Sequence, residues 1–302
     1  MKPWDELWEK PVIVLDGAMG TELIAQGLTQ GECPDLWNVL HPEKVKEVHK
    51  GYYDAGSDIV LSNTFGASRI KLEPYGLDAR VEEINRAGAS LLKTACPAGS
   101  LSAGDMGPMG KFLKPVGPCE PEEFEAAFQE QAKALCDGGV DLIIIETMYD
   151  LREARLALKG ALGAGLPVFV TMTFTKKKRG FFTVMGDEPR KALRILADEG
   201  AQAVGCNCSL DCADMLLLVE SLGAPLPVPL IVKPNAGQPR MEGDKTVYDA
   251  DPAEFASQVM KMIEKGARLA GGCCGTSPRF IETLRGMIKS TTRTGNTGEK
   301  EN

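Results

Sequence analysis

The nonapeptide AGGCCGTSP (270–278) places two adjacent cysteines, Cys273 and Cys274, among glycines, and the earlier stretch GCNCS (205–209) adds Cys208. Thiolates are nucleophiles, redox centres and soft metal ligands. Three of them on one rim equal the protein-ligand count of a catalytic zinc site with one open position. Three readings compete for these thiols: zinc ligation, burial as small packing residues, and redox chemistry. A disulfide between neighbours 273 and 274 would close a strained ring. Cys206 and Cys212 are alternative ligands, and Cys206 has the same strand parity as Cys208, so alternation does not separate them. Gly271, Gly272 and Gly275 remove side-chain bulk and let two consecutive residues turn toward one ion.

For these thiols to converge, the chain must bring distant segments to one rim. Short β-branched runs alternate with amphipathic helical stretches along the sequence. The expected strands are 12–17, 58–65, 101–108, 141–148, 167–174, 203–209, 229–237 and 268–276. Pro121 starts and Gly138-Gly139 stops one intervening helix. Another has Asp251 as N-cap, Pro252 at its first position and Gly266 after its last turn. This count fits a single-domain (β/α)8 TIM barrel over residues 1–289, whose active site would sit at the C-terminal strand ends. Residues 290–302 read as a flexible polar tail. The loop from Gly107 to Pro121 is long for its place and is expected to shape the mouth.

Every strand end carries a polar group: Asp16, Asn63 with Thr64, Asp105, Glu146, Thr173, Asn207 with Cys208, Asn235, and Cys273 with Cys274. Loops begin at strand ends, which accounts for any one of these, but not easily for all of them. Glu146 follows LIII directly, and a carboxylate leaving a buried strand is costly unless it meets a cation.

Composition narrows the function classes. The chain has 302 residues, is 43% hydrophobic and carries a net charge of −8, which disfavours bulk association with nucleic acid or an anionic membrane. Its start lacks a signal-peptide pattern, and no apolar run approaches the ~18 residues of a membrane span, so a cytoplasmic protein is expected. Nine cysteines, an odd number, suit reduced thiols or metal ligands better than a disulfide framework. His41 and His49 read as surface or packing residues. Walker A, GxGxxG, HExxH and GxSxG patterns are absent.

The stretches LDGAMGTEL (15–23), GSDIVLSNTFGAS (56–68), GDMGP (104–108), IIETMYD (144–150), GCNCS (205–209), KPNAG (233–237) and GGCCGT (271–276) occur in order over nearly the whole chain. Together they resemble the zinc-dependent homocysteine S-methyltransferases, especially the homocysteine-binding barrel of cobalamin-dependent methionine synthase. The resemblance implies zinc held by Cys208, Cys273 and Cys274, and it is this pattern that selects Cys208 over Cys206. It also implies amino-acid binding by Asp16, Gly17, Glu146 and Asn235, with Asp16 and Glu146 as the catalytic carboxylates. Backbone amides around Ala18 and the Thr21 hydroxyl are candidate carboxylate donors, with Asn63 and Asp105 further substrate contacts. Asn235 or a water is a candidate for the fourth zinc position.

The implied chemistry is methyl transfer to homocysteine, whose thiol is largely protonated near neutrality until zinc coordination deprotonates it. The implied donor is either a methyl-corrinoid (cobalamin) on a separate corrinoid protein or a small donor such as S-methylmethionine or a betaine; GGCCGT resembles the corrinoid-linked branch more than the S-methylmethionine branch, where an arginine commonly follows the cysteine pair. The stretch TKKKRGFFTVMGD (175–187) departs from the family. Its run Lys176–Arg179 is either a solvated basic loop followed by core residues, or a dock for an acidic corrinoid protein with Phe181, Phe182, Val184 and Met185 lining the mouth. Two rival functions stand beside the first: a zinc-dependent demethylase passing methyl groups to a corrinoid protein, and a non-catalytic zinc or homocysteine sensor.

Overall fold

In the computed structural model, which describes residues 3–238, 240–242 and 245–295, each of the eight apolar runs coincides with or overlaps a parallel strand. They are β1 (Ile13–Val14), β2 (Ile59–Leu61), β3 (Leu101–Met106), β4 (Leu142–Met148), β5 (Val168–Met172), β6 (Ala203–Asn207), β7 (Leu230–Lys233) and β8 (Ala267–Ala270). The sheet runs β1-β8-β7-β6-β5-β4-β3-β2. It closes through a parallel bridge between Leu15 and Ile59, and the Asp58 N–H donates to the Val14 carbonyl at 2.7 Å. The result is a (β/α)8 barrel in one domain.

Alternate residues of each strand feed two cores. Ile13, Leu15, Ile59, Leu61, Leu142, Ile144, Phe169 and Leu269 fill the barrel interior, whereas Val14, Val60, Ile143, Ile145, Val170 and Val232 face the outer helices. With both faces buried, the strands read as continuous apolar runs rather than as alternation. The N-terminal helix Pro3–Trp8 closes the bottom: Leu7 joins the interior cluster and Trp8 meets Phe169 with ring centroids 5.8 Å apart.

The helix signals act as expected. Pro121–Asp137 begins with a capping box between Glu120 and Glu123, and the Asp251 carboxylate accepts from the Ala253 and Glu254 amides at the start of Pro252–Glu264. The tail boundary is corrected. The terminal helix runs Pro278–Gly295 and so covers residues 290–295, while 296–302 lie outside the described residues. Extending a formed helix adds one hydrogen bond per residue. The hydroxyls of Ser290 and Thr291 also bond back to the Met287 carbonyl, at 2.8 and 3.1 Å, which lets polar residues continue it.

Candidate metal and substrate site

The strand ends deliver Cys208, Cys273 and Cys274 to one place. Their sulfurs all lie within 4.8 Å of one another, and Cys208 and Cys274 are 3.7 Å apart. A tetrahedral zinc with Zn–S bonds of about 2.3 Å requires sulfurs about 3.8 Å apart, so the triad has room for that ion and matches its preferred ligand type. The three thiols are mutually close, so negative charge is concentrated on one of them. Hydrogen bonds from Cys208 and Cys273 hold the Cys274 thiol far below its usual range, while Cys273 is pushed well up by Cys208 and then by Cys274.

Cys206 and Cys212 are not part of this group. Both belong to the hydrophobic core, and burial raises both thiols, Cys212 to about 12. Shared parity failed to separate Cys206 from Cys208 because β6 ends at Asn207. Cys208 and Ser209 then adopt left-handed φ values of 59° and 57°, which turn the Cys208 side chain out of the strand's alternation. The glycines that follow the eighth strand sit where a side chain would not fit. A Cβ on Gly271 would lie 2.6 Å from the Asp16 carbonyl, and one on Gly272 would fall onto the Thr276 side chain. Gly275 has φ 82°, with the Tyr248 ring packed against it.

Glu146 finds its cation in Lys233, a residue absent from the sequence-derived site. The Lys233 ammonium lies 3.0 Å from Glu146 and 3.3 Å from Asp16, and it is only 2% exposed. Burial alone would lower its pKa, but Glu146 and then Asp16 outweigh burial and raise it. Asp16 also accepts the Leu61 N–H at 2.7 Å, so it joins β1 to β2 at the mouth as well as facing the site. Burial raises the Asp16 carboxyl, with Lys233 opposing. Asp105 is pushed well above the usual carboxylate range, first by burial and then by Glu146, and its Oδ1 has no hydrogen-bond partner among the described residues.

A cavity of about 390 Å³ joins the two groups. Its wall includes Asp16, Gly17, Ala18, Thr21, Asn63, Asp105, Glu146, Lys233 and the three cysteines. Among the sequence-derived residues, Asn235 is not on this wall. It is buried behind the cysteine pair, where Pro234 O accepts the Cys273 N–H, Ala236 N–H donates to Cys274 O, and the Asn235 Oδ1 is unpartnered. The Ala18 N–H is already committed to Thr276 O at 3.0 Å. Thr21 accepts from the Gly275 N–H and keeps its own proton to donate. The Asn63 amide donates to Pro34 O and Asn38 Oδ1, so it braces the loop after β1.

One expectation about the mouth is corrected, and of the two readings of the basic run the mouth-lining one is not met. No residue of 107–121 lines the cavity; Phe65, Gly66, Lys71 and Tyr75, which follow β2, form its outer wall with Pro34 and Asp35. Met109, Leu113 and Cys119 in the longer loop are instead buried apolar anchors that hold it against the core. Phe181, Phe182, Val184 and Met185 do not line the cavity either. The basic run forms a hairpin, Thr175–Lys177 with Gly180–Phe182, in which Lys176 pairs with Asp214 at 2.6 Å, Phe181 packs inward and Val184 is 67% exposed. His49 is fully buried, and burial lowers its pKa to about 3, so it is a neutral packing residue.

Comparison with known proteins agrees with this geometry. A family model described as homocysteine S-methyltransferase matches residues 13–288. The methionine synthases of Mycobacterium tuberculosis (strain ATCC 25618 / H37Rv) and Mycobacterium leprae (strain TN) are 31% and 30% identical over 93% and 92% of this chain. The chain spans only 25% and 24% of those proteins' lengths. The homocysteine methyltransferase MmuM from Escherichia coli, in its metallated form, superposes with a TM-score of 0.78 at 26% identity, covering 95% of this chain and all (100%) of that one. Described over nearly its full length by that family's pattern, the chain belongs to the homocysteine S-methyltransferase family of enzymes.

Proposed function

We propose that the protein transfers a methyl group to the thiol of homocysteine, forming methionine, with Cys208, Cys273 and Cys274 holding a zinc ion. The observation that carries this reading is one cavity walled by both a three-thiol cluster of zinc-matching spacing and a buried carboxylate–lysine group. When bound, zinc would keep the substrate thiol deprotonated at neutral pH. The chain's own residues account for the rest. Asp16 and Glu146 carry two negative charges against the single positive charge of Lys233, so their end of the cavity is one cation short and suits an ammonium. Asp105 and the Thr21 hydroxyl add uncommitted hydrogen-bonding capacity on the same wall. Asn235 stays in the proposal through its unpartnered amide oxygen beside the cysteine pair.

The donor in this reading is a methyl-corrinoid carried by a protein partner. Two features support it: the resemblance to methionine synthases, and Gly275, whose positive φ and contact with Tyr248 leave no room for the arginine of the S-methylmethionine branch. Free thiols throughout suit a reducing, cytoplasmic setting. To test the reading, zinc-loaded protein is given homocysteine and methylcob(III)alamin, and methionine is followed. Methionine should form, and Glu146→Gln should retain zinc while raising the KM for homocysteine about tenfold or more. Methionine from a sulfonium donor but not from methylcobalamin would reject the corrinoid donor. No turnover with any donor would favour a homocysteine-binding, non-catalytic role.

A further inference from the structure

We infer that Asn207 is a positioning residue that donates a hydrogen bond to the Cys273 sulfur and ties the thiol cluster to the irregular segment near the end of β4 that carries Glu146. This rests on reading the three cysteines as zinc ligands. The orientation of the Asn207 amide follows from the backbone. The Thr147 N–H can only donate, and it lies 2.8 Å from Asn207 Oδ1, so that atom is the oxygen and the other is the nitrogen. The Thr171 hydroxyl donates to the same oxygen at 2.7 Å. On the far side, Nδ2 donates to the Thr147 hydroxyl at 2.7 Å and to Cys273 Sγ at 3.8 Å.

Both acceptor and both donor capacities are therefore used, in a side chain that is 0% exposed. A flipped amide would set two donors against each other at Thr147. Through these contacts one residue joins the ends of β4, β5 and β8 while preceding Cys208 at the end of β6. Thr147, the residue after Glu146, has φ 64°, which a β-branched residue adopts only when its surroundings hold it there. Asn207 grips Thr147 by both its N–H and its hydroxyl. With zinc bound by three thiolates, the remaining amide proton would face the Cys273 sulfur and take up part of its negative charge.

Asn207→Asp tests the inference by exchanging NH2 for oxygen with the shape retained. Thr147 and Thr171 keep their acceptor, but Cys273 then faces an anion instead of a donor. Chelator competition should show zinc retention weakened about tenfold or more, and the cobalt-substituted protein should show a shifted sulfur-to-metal charge-transfer band. Wild-type values for both would overturn the inference. A measurement on unmutated protein decides the matter if the variant does not fold. In protein loaded with 113Cd, a scalar coupling between cadmium and the Asn207 side-chain amide proton is expected across the N–H···S bond, and its absence would overturn the proposal. Wild-type protein that binds zinc but lacks these effects defeats only this inference, whereas wild-type protein that binds no zinc defeats the zinc reading beneath it.

Discussion

Lys233 shows how a single residue can complete a site without announcing itself. The sequence exposed Glu146 as a carboxylate in need of a cation, but its partner Lys233 lies 87 residues further on, and Lys233 is 217 residues from the other carboxylate it meets, Asp16. In LIVKP a lysine at a strand end looks like any side chain leaving for solvent. Here it is buried with both carboxylates, so Lys233→Met leaves Asp16 and Glu146 without their counter-ion. Urea unfolding at pH 7 should show a loss of about 3–5 kcal/mol. The deficit should shrink toward pH 5, because burial has already raised Asp16 and a protonated carboxyl no longer needs the counter-ion. An undiminished loss at pH 5 would show that lost packing, not unpaired charge, dominates.

At the scale of elements, strands and caps were legible because periodicity and capping act over a few residues. The turns that leave the strands were less so. Strand alternation could not tell Cys208 from Cys206; the family pattern separated them, and the left-handed backbone at Cys208 gives the physical reason, while the loop 107–121 proved to be anchored away from the cavity it was expected to shape. Part of that anchoring comes from Glu153 in the helix Leu151–Leu162, which is 1% exposed and accepts the Met109 N–H at 2.7 Å. Burial raises its carboxyl to about 7. The folded protein therefore holds a proton that the unfolded chain releases above the ordinary value of 4.5, and stability must fall as pH rises from there through 7. Glu153→Gln keeps the acceptor and removes the charge. Relative to wild type it should be more stable at pH 8 than at pH 5, by about 2 kcal/mol in thermal or urea unfolding.

Across the whole molecule, the barrel depends on closing β1 against β2, where only short strands meet. Asp58 does much of this work. It accepts the Val14 N–H at 2.7 Å and pairs with Lys10 and with Arg285 of the terminal helix, each at 2.6 Å. One carboxylate thus links the N-terminal segment, both closing strands and the last helix. Asp58→Asn should lower stability by about 3 kcal/mol while unfolding remains a single transition, as followed by circular dichroism in urea. A separate early transition would show that the seam opens independently of the rest.

The sequence by itself determined the eight-strand order of apolar runs, the helix starts and stops and the carboxylate that needed a cation, because each depends on composition and spacing along a local stretch; the choice of Cys208 beside Cys273 and Cys274 came from the family pattern. Only the tertiary structure decided which cation answered Glu146, that Asn207 binds three strand ends together, and which loop walls the cavity. Those relations join residues from opposite parts of the chain, and they exist only once the barrel has closed and brought its strand ends to a common rim.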